Sequence, residues 1–433
     1  MIEKRNKMQV YIVLALLVFM IFMFFTHKVP YGVATMTCCV LLCLTGVFEV
    51  KDAFSGLANK TTILVAGMFT VAYAFGKTSL INKIRGVMDR VREKSGFVFI
   101  LSLFVIVILL AQLMGRTAIV SIIALFLVSL DDNDEICPSR MIFAAFSVLA
   151  AWSSKLPIGL GAVSAPGANA YYEGIINNPE LMLVPSDIIK VAFIPCTALT
   201  IYALFAWKMI PKHAINTSNV KEVKKTAAIS KRDEIIINIV FAIVLLGFIF
   251  GAKVGSLMYV LPAAGALVLI YTKVLTTKEA VDSLTSDMVW MIAGVLVMSD
   301  AIGKSGVGDM IGAGLQTVLG EHPNGIVVLL VFAVVTIVMT TFMSNTGTAA
   351  VLSPIAASLS LVAGMDPRGI ILVITTASVM AIAFPSGSAE CALAFAIGQH
   401  EPAKLLKYTV PYILIAIVTL VFSANLFFPV YPA

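Results

Sequence analysis

From Ile326 to Val362 the chain passes without one charged side chain, and most of that stretch is aliphatic. About 20 apolar residues suffice to cross a hydrocarbon core. Such segments must satisfy every backbone N–H and C=O internally, because lipid offers no partner, so they fold as α-helices. Comparable runs recur at Val10–Phe25, Tyr31–Phe48, Thr61–Phe75 and Phe97–Leu113. Hydrophobic residues make up 60% of the 433, charged residues 12%, and the mean hydropathy is +0.99. A pair of soluble domains is excluded, and the chain reads as an all-α polytopic membrane protein. Val10–Phe25 follows Lys4-Arg5 like a secretion signal, but it lacks a small-residue cleavage site and another span follows at once. It is read as a mature helix.

The Ile326–Val362 run is interrupted at its centre by Ser344-Asn345-Thr346-Gly347-Thr348. One Ser or Thr can be buried by bonding to its own helix. A cluster of small oxygen ligands around a glycine instead marks a break, tolerated at mid-depth only where protein or a cavity satisfies it. A polar helix–helix contact with a glycine notch is the plainer alternative.

The plan of the chain is stated twice. Ala66-Gly67 recurs as Ala293-Gly294, and Ala74-Phe75-Gly76-Lys77-Thr78 as Ala301-Ile302-Gly303-Lys304-Ser305, both 227 positions later. Met114-Gly115-Arg116-Thr117 aligns with Met343-Ser344-Asn345-Thr346 at 229. An amphipathic segment, read as a helix lying on the membrane surface, precedes each tip. The first carries Ile84, Val87, Met88 and Val91 on one face, with Lys83, Arg85, Arg90, Arg92 and Lys94 around the other; the second carries Val307, Met310, Ile311, Leu315 and Val318. A span that starts near Arg140 breaks at Ser153–Pro157, stays irregular to Gly167 and resumes weakly near Ala170–Ile176. Its counterpart runs from about Gly369, breaks at Phe384–Ser388 and resumes to Gly398. A last span closes each copy, at about Asp187–Ile210 and Leu405–Phe428. The organisation is an internal duplication: residues 1–210, a basic cytoplasmic linker 211–233, and residues 234–433.

If each polar-tipped double run is a re-entrant hairpin, every copy crosses the membrane about five times, one helix being broken, and the second copy is inverted. Inverted repeats whose broken helices meet at the midplane are a secondary-transporter architecture. Lys and Arg concentrate at Lys28, Lys77–Lys94, the linker, Lys273, Lys278, Lys404 and Lys407. That puts those loops in the cytoplasm and both termini outside, against the vote of the short Lys4-Arg5-Asn6-Lys7 tail. The net charge of +6 is thereby spent on orientation and calls for no nucleic acid. The six cysteines and four histidines have neither disulfide nor metal-site spacing.

Helix ends meeting at mid-depth offer N–H groups to anions and carbonyls to cations. Ser344, Asn345, Thr346 and Thr348 supply hard oxygens that suit Na⁺. Arg116 stands at the equivalent tip of the first copy and is permanently charged, so it needs a partner: an anionic substrate, or a carboxylate such as Glu390 just past the second break. Snorkelling to an interface is the alternative for Arg116, and an ordinary loop-edge position the alternative for Lys155. Asp300, beside Lys304, reads equally as an interfacial residue, and Glu173 as a rim or surface residue.

At these residues the chain resembles the divalent-anion/sodium symporter family of dicarboxylate, citrate and sulfate carriers, within the ion-transporter superfamily. The likeness extends over nearly the whole chain, includes Asp52-Ala53-Phe54-Ser55-Gly56-Leu57-Ala58-Asn59, and is most specific at Ser344-Asn345-Thr346. In that family a Ser-Asn-Thr motif tips each hairpin and a Thr-Pro-Pro-Asn-like loop breaks each partner helix. The resemblance implies substrate contacts from Arg116, Thr117, Ser164, Asn169, Ser344, Asn345, Thr346, Ser386 and Ser388. It implies ion ligands at Ser344, Asn345, Thr346, Thr348 and Gly387. It also implies an elevator-like motion and a homodimer in the lipid bilayer. Two departures alter the expectation. The first tip reads Gly115-Arg116-Thr117, and the second loop ends Gly387-Ser388-Ala389-Glu390. A guanidinium where the family has a sodium ligand repels a cation, which makes Glu390 the proton-carrier candidate.

The expectation is a multi-pass carrier of a small anion, a di- or tricarboxylate, in the cell membrane, with no cofactor and with Na⁺ or H⁺ as coupling ion. A cation/proton antiporter of the same superfamily, using Asp300 or Glu390, is the main alternative. A passive channel is a further one. A membrane-embedded enzyme lacks any HExxH, GxSxG, paired-Asp or Cys/His set in this sequence.

Overall fold

The computed structural model describes residues 2–26, 28–75, 77–79, 96–127, 130–132, 134–215, 229–249, 255–320, 322–385 and 388–431. Among these no strand occurs. The first copy contains α1 (Ile2–Thr26), α2 (Tyr31–Leu44), α3 (Val50–Ala53), α4 (Lys60–Phe75), α5 (Gly96–Leu113), α6 (Arg116–Leu127), α7 (Pro138–Trp152), α8 (Ser164–Asn169), α9 (Glu173–Ile176) and α10 (Pro185–Ala206). The second contains α11 (Lys231–Ile249), α12 (Leu261–Tyr271), α13 (Thr277–Leu284), α14 (Asp287–Ser305), α15 (Val307–Leu319), α16 (Gly325–Phe342), α17 (Asn345–Ala363), α18 (Pro367–Ala377), α19 (Ala389–Gly398) and α20 (Pro402–Phe427). By length and composition, six helical stretches in the described residues are long and apolar enough to cross a membrane, and shorter apolar helices accompany them. The protein is a multi-pass membrane protein.

The two copies pack on each other in matched pairs. α2 lies on α14, and α4 lies on α12, so the second span of each copy meets the third span of the other. The repeated glycines make both crossings. A Cβ on Gly67 would fall 2.4 Å from the Ala263 nitrogen, and one on Gly294 would fall 2.4 Å from the Thr35 Cβ. Small residues here let helix backbones touch, as they do between membrane helices generally. The final spans α10 and α20 pack against each other. The restart of each broken helix reaches across as well, α9 to α17 and α19 to α6.

The double runs are re-entrant. A Cβ on Gly96, where α5 starts, would lie 2.6 Å from Ile136, in the loop after α6. Gly325 at the start of α16 abuts Val430, whose carbonyl also accepts the Asp366 N–H beyond α17, at 2.8 Å. Each hairpin thus begins and ends at one level. The levels are opposite: Ser139, close behind Ile136, accepts a 2.8 Å hydrogen bond from His400 at the start of α20, whereas Val430 follows its end. The 26 residues of α20 span about 39 Å at 1.5 Å per residue. The hairpins therefore enter from opposite faces and the repeats are inverted. Arg140 donates to the Ile210 carbonyl at 3.0 Å, which ties the first hairpin's base to the face that carries the linker.

Local chemistry sets the hairpin turns and breaks. Ser344 caps α17 by accepting the Gly347 N–H at 2.9 Å. Asp366 caps α18 with Pro367 in the first turn. The first break is held open by Gln112 on α5, which donates to the Trp152 carbonyl (2.9 Å) and accepts from the Leu156 N–H (3.0 Å). Ser154 donates its N–H to the Ala111 carbonyl at 3.1 Å. Gly159, with φ +55°, passes so close to Gln112 that a Cβ would sit 2.1 Å from its carbonyl oxygen.

The structure refines the sequence reading in three places. The second break opens earlier than Phe384, because α18 ends at Ala377 and the Ser378 carbonyl accepts instead from Thr340 at 2.7 Å. The stretch expected to be irregular after the first break contains the short helix α8. The second amphipathic segment, α15, packs against α17 of the hairpin; Gly312 there approaches the Ser358 carbonyl. The first amphipathic segment, including Ile84, Val87, Met88, Val91 and its five basic residues, lies outside the described residues, as does most of the linker.

Candidate functional site

The hairpin tips and helix breaks converge on one carboxylate. Arg116 opens α6 immediately after the Met114-Gly115 turn, and its Nη1 lies 2.7 Å from Glu390 Oε1. Glu390 sits in the first turn of α19, where the helix N-terminus favours negative charge. Asn345, in the first turn of α17, donates its Nδ2 to the same oxygen at 3.2 Å. The carboxamide is oriented by Thr340, whose hydroxyl lies 2.9 Å from Asn345 Oδ1 and 2.7 Å from the Ser378 carbonyl. Glu390 is thus gripped by the first copy's tip and the second copy's tip together. Its side chain is 9% exposed and that of Arg116 24%.

These groups line a cavity of about 390 Å³. Arg116, Thr117, Ser164, Asn345, Thr346 and Glu390 face it, joined by Ser153, Ser154, Lys155, Thr375 and Ser378. Phe69, Tyr171, Met288 and Ile292 form its apolar wall. Lys155 stands out as 3% exposed, with its ammonium 3.5 Å from the Thr375 carbonyl. The sequence offers a loop-edge position as the alternative for Lys155; its nearness to Ser153-Ser154 at the break is the signal that favours the cavity.

The other expected residues are placed differently. The Asn169 carboxamide closes a loop, bonding Leu183 N–H and C=O at 2.9 Å each and taking the Tyr172 hydroxyl. Ser344 caps α17, and Ser388 caps α19 through the Cys391 N–H at 3.3 Å. Thr348 is fully buried, and its hydroxyl has no hydrogen-bond partner among the described residues. Ser386 and Gly387 lie outside the described residues.

A second cavity, of about 400 Å³, lies further along α14 and is lined by Asn59, Lys60, Glu173, Asn177 and Asp300. Asn59 donates to Glu173 at 3.1 Å, and Asp300 pairs with Lys304 at 2.7 Å. The segment holding Tyr171 and α9 stands between the two cavities. There α9 and α14 touch backbone to backbone: a Cβ on Gly303 would lie 2.4 Å from the Gly174 carbonyl oxygen.

Two inverted helical repeats, whose hairpin tips and broken helices close on a charged cavity, define a secondary-transporter fold. The chain belongs to the citrate transporter family (CitMHS), whose profile matches residues 2–152 and 175–377. That family consists of transport proteins, not enzymes. An uncharacterized transporter of Haemophilus influenzae is 22% identical over 417 residues, covering 91% of this chain and 87% of its own. Two solved transporters share the fold. YdaH of Alcanivorax borkumensis, described as having an unusual topology, superposes with TM-score 0.63 at 15% identity, covering 90% of each chain. MtrF of Neisseria gonorrhoeae, described within a class of antimetabolite efflux pumps, gives 0.60 at 17%, covering 91% of this chain and 85% of its own.

Proposed function

We propose that the protein is a secondary active transporter of a small carboxylate anion, a di- or tricarboxylate, working by alternating access and coupled to protons through Glu390. The observation that carries this reading is the Arg116–Glu390 pair inside the cavity. A substrate carboxylate that takes the Arg116 guanidinium competes with Glu390 for it. Glu390, released from Arg116, is the acidic group in the cavity available to carry the coupling proton. Anion and proton then bind together and leave together, which gives symport or, run both ways, exchange.

A guanidinium where the divalent-anion/sodium symporters have a sodium ligand argues against a first sodium site. At most one remains, near Thr346 and Thr348. The motif likeness to those symporters supports, in addition, an elevator-like motion and a homodimer. The lysine distribution supports termini outside the cell membrane, to be tested by labelling single cysteines placed at Lys208 and Tyr431 in intact cells.

The decisive experiment is uptake of radiolabelled citrate and succinate into proteoliposomes under imposed gradients. Acid outside should drive accumulation, and a Na⁺ gradient alone should not. Pure dependence on Na⁺, or pH- and Na⁺-driven ion movement without any anion, would overturn the reading; the latter result is that of a cation/proton antiporter.

A further inference from the structure

The cavity holds more positive charge than its own carboxylate can answer. Arg116 and Lys155 both line it, and Glu390 is the one acidic residue among its described lining. Arg116 already occupies that carboxylate. Lys155 makes no ion pair with any described residue, and its ammonium has only the long 3.5 Å contact to the Thr375 carbonyl. A lysine that is 3% exposed and lacks a counter-charge is expensive to keep ionised. The fold nevertheless holds it in place. Ser154 adopts φ +56° just before it, and Gln112 pins the Leu156 N–H just after it at 3.0 Å. A backbone so constrained on both sides presents the ammonium to the cavity deliberately, as a strained residue at a ligand site does.

We propose that Lys155 is the second anion-binding cation of this cavity. It takes one carboxylate of a substrate whose other carboxylate is held by Arg116, and thereby selects multivalent over monovalent anions. The inference rests on the anion-transport reading above and gives it a charge rule. With Glu390 protonated, the cavity presents two positive charges to the substrate, which match a dianion. The two cations also differ in kind. Arg116 offers a planar fork suited to gripping one carboxylate in a fixed geometry, whereas Lys155 is a point charge on a flexible stem that can follow carboxylates at different spacings.

The test compares thermal stabilisation of the purified protein by succinate, citrate and monomethyl succinate, since a ligand that binds the folded state raises its apparent stability. In the unaltered protein, succinate should bind at least tenfold more tightly than its monomethyl ester. Lys155→Gln should remove that difference by weakening succinate and citrate tenfold or more while leaving the monoester nearly unchanged. Lys155→Arg should restore most of the discrimination. Equal binding of succinate and monomethyl succinate by the unaltered protein would overturn the inference, even if Lys155→Gln failed to fold. So would unchanged succinate affinity in a folded Lys155→Gln. If no carboxylate stabilised the unaltered protein at all, the anion-transport reading itself would fall, and Lys155 with it.

Discussion

Arg116 and Glu390 stand in opposite repeats, one at the tip of a hairpin and the other at the restart of a broken helix, and they meet at 2.7 Å. The contact joins the two halves at the depth where the backbone is least regular. Removing either partner leaves a charge in a poorly solvated place. Breaking a buried pair in that way costs about 3 kcal/mol. Arg116→Ala and Glu390→Ala should each lower the melting temperature, and the double variant should lose less than the sum. Transport should fall at least a hundredfold in Arg116→Ala. In Glu390→Gln, uptake that persists should lose its response to a pH gradient. Additive stability losses in the cycle would mean that the pair is not coupled.

Gln112 supports the first break through hydrogen bonds to Trp152 and Leu156. Gln112→Leu keeps much of the volume and removes both. A loss of about 1–3 kcal/mol is expected, since the Leu156 N–H is left unsatisfied, whereas the Trp152 carbonyl keeps the Lys155 N–H at 3.3 Å. Because Lys155 lies between those two anchors, succinate binding should weaken in the same variant, as read by ligand titration.

Gly303 permits α14 to touch α9 at the Gly174 carbonyl. Gly303→Ala should push the two elements apart at a cost of about 1–3 kcal/mol. A cysteine introduced at Glu173 should then react faster with a water-soluble maleimide than it does in the unaltered background. Unchanged labelling would show that α9 does not close that side of the cavity around Arg116 and Glu390.

His400 lies in the connection between α19 and α20, is 8% exposed, and bonds the Ser139 carbonyl at 2.8 Å. Burial, with the nearby His213 ring adding to it, pushes its imidazole down to about 4. The unfolded chain therefore takes up this proton first as the pH falls below about 6.5. Stability should decline with acidification between about 6.5 and 4 and level off below that. His400→Gln, which can keep the bond to Ser139, should flatten that part of a melting-temperature profile.

Much of this architecture is legible before any coordinates. The polar interruptions at Arg116-Thr117 and Ser344–Thr348 locate the tips, because such residues are costly inside apolar runs. Ala66-Gly67 and Ala293-Gly294 announce the duplication, and the structure adds that both pairs sit at the inter-copy crossings. Glu390 was already one of two named partners for Arg116. What stayed hidden depends on partners far along the chain. α18 stops before an apolar stretch, Val379–Phe384, that carries no local signal; the hydroxyl of Thr340 on another helix takes the Ser378 carbonyl instead. Lys155 looked like a loop edge because its burial is completed by Thr375, 220 positions away. Asn169 looked like a ligand from motif likeness, whereas its carboxamide is engaged by Leu183 and Tyr172.

The exchange of partners between copies, α2 with α14 and α4 with α12, constrains how the protein is made. When a ribosome has finished only the first repeat, Thr35 and the notch at Gly67 face lipid or temporary neighbours, because Gly294 and Ala263 have not yet been synthesised. The first half must wait in the membrane with its complementary surfaces open. The packing at these two crossings can form only once the helices of the second repeat have arrived.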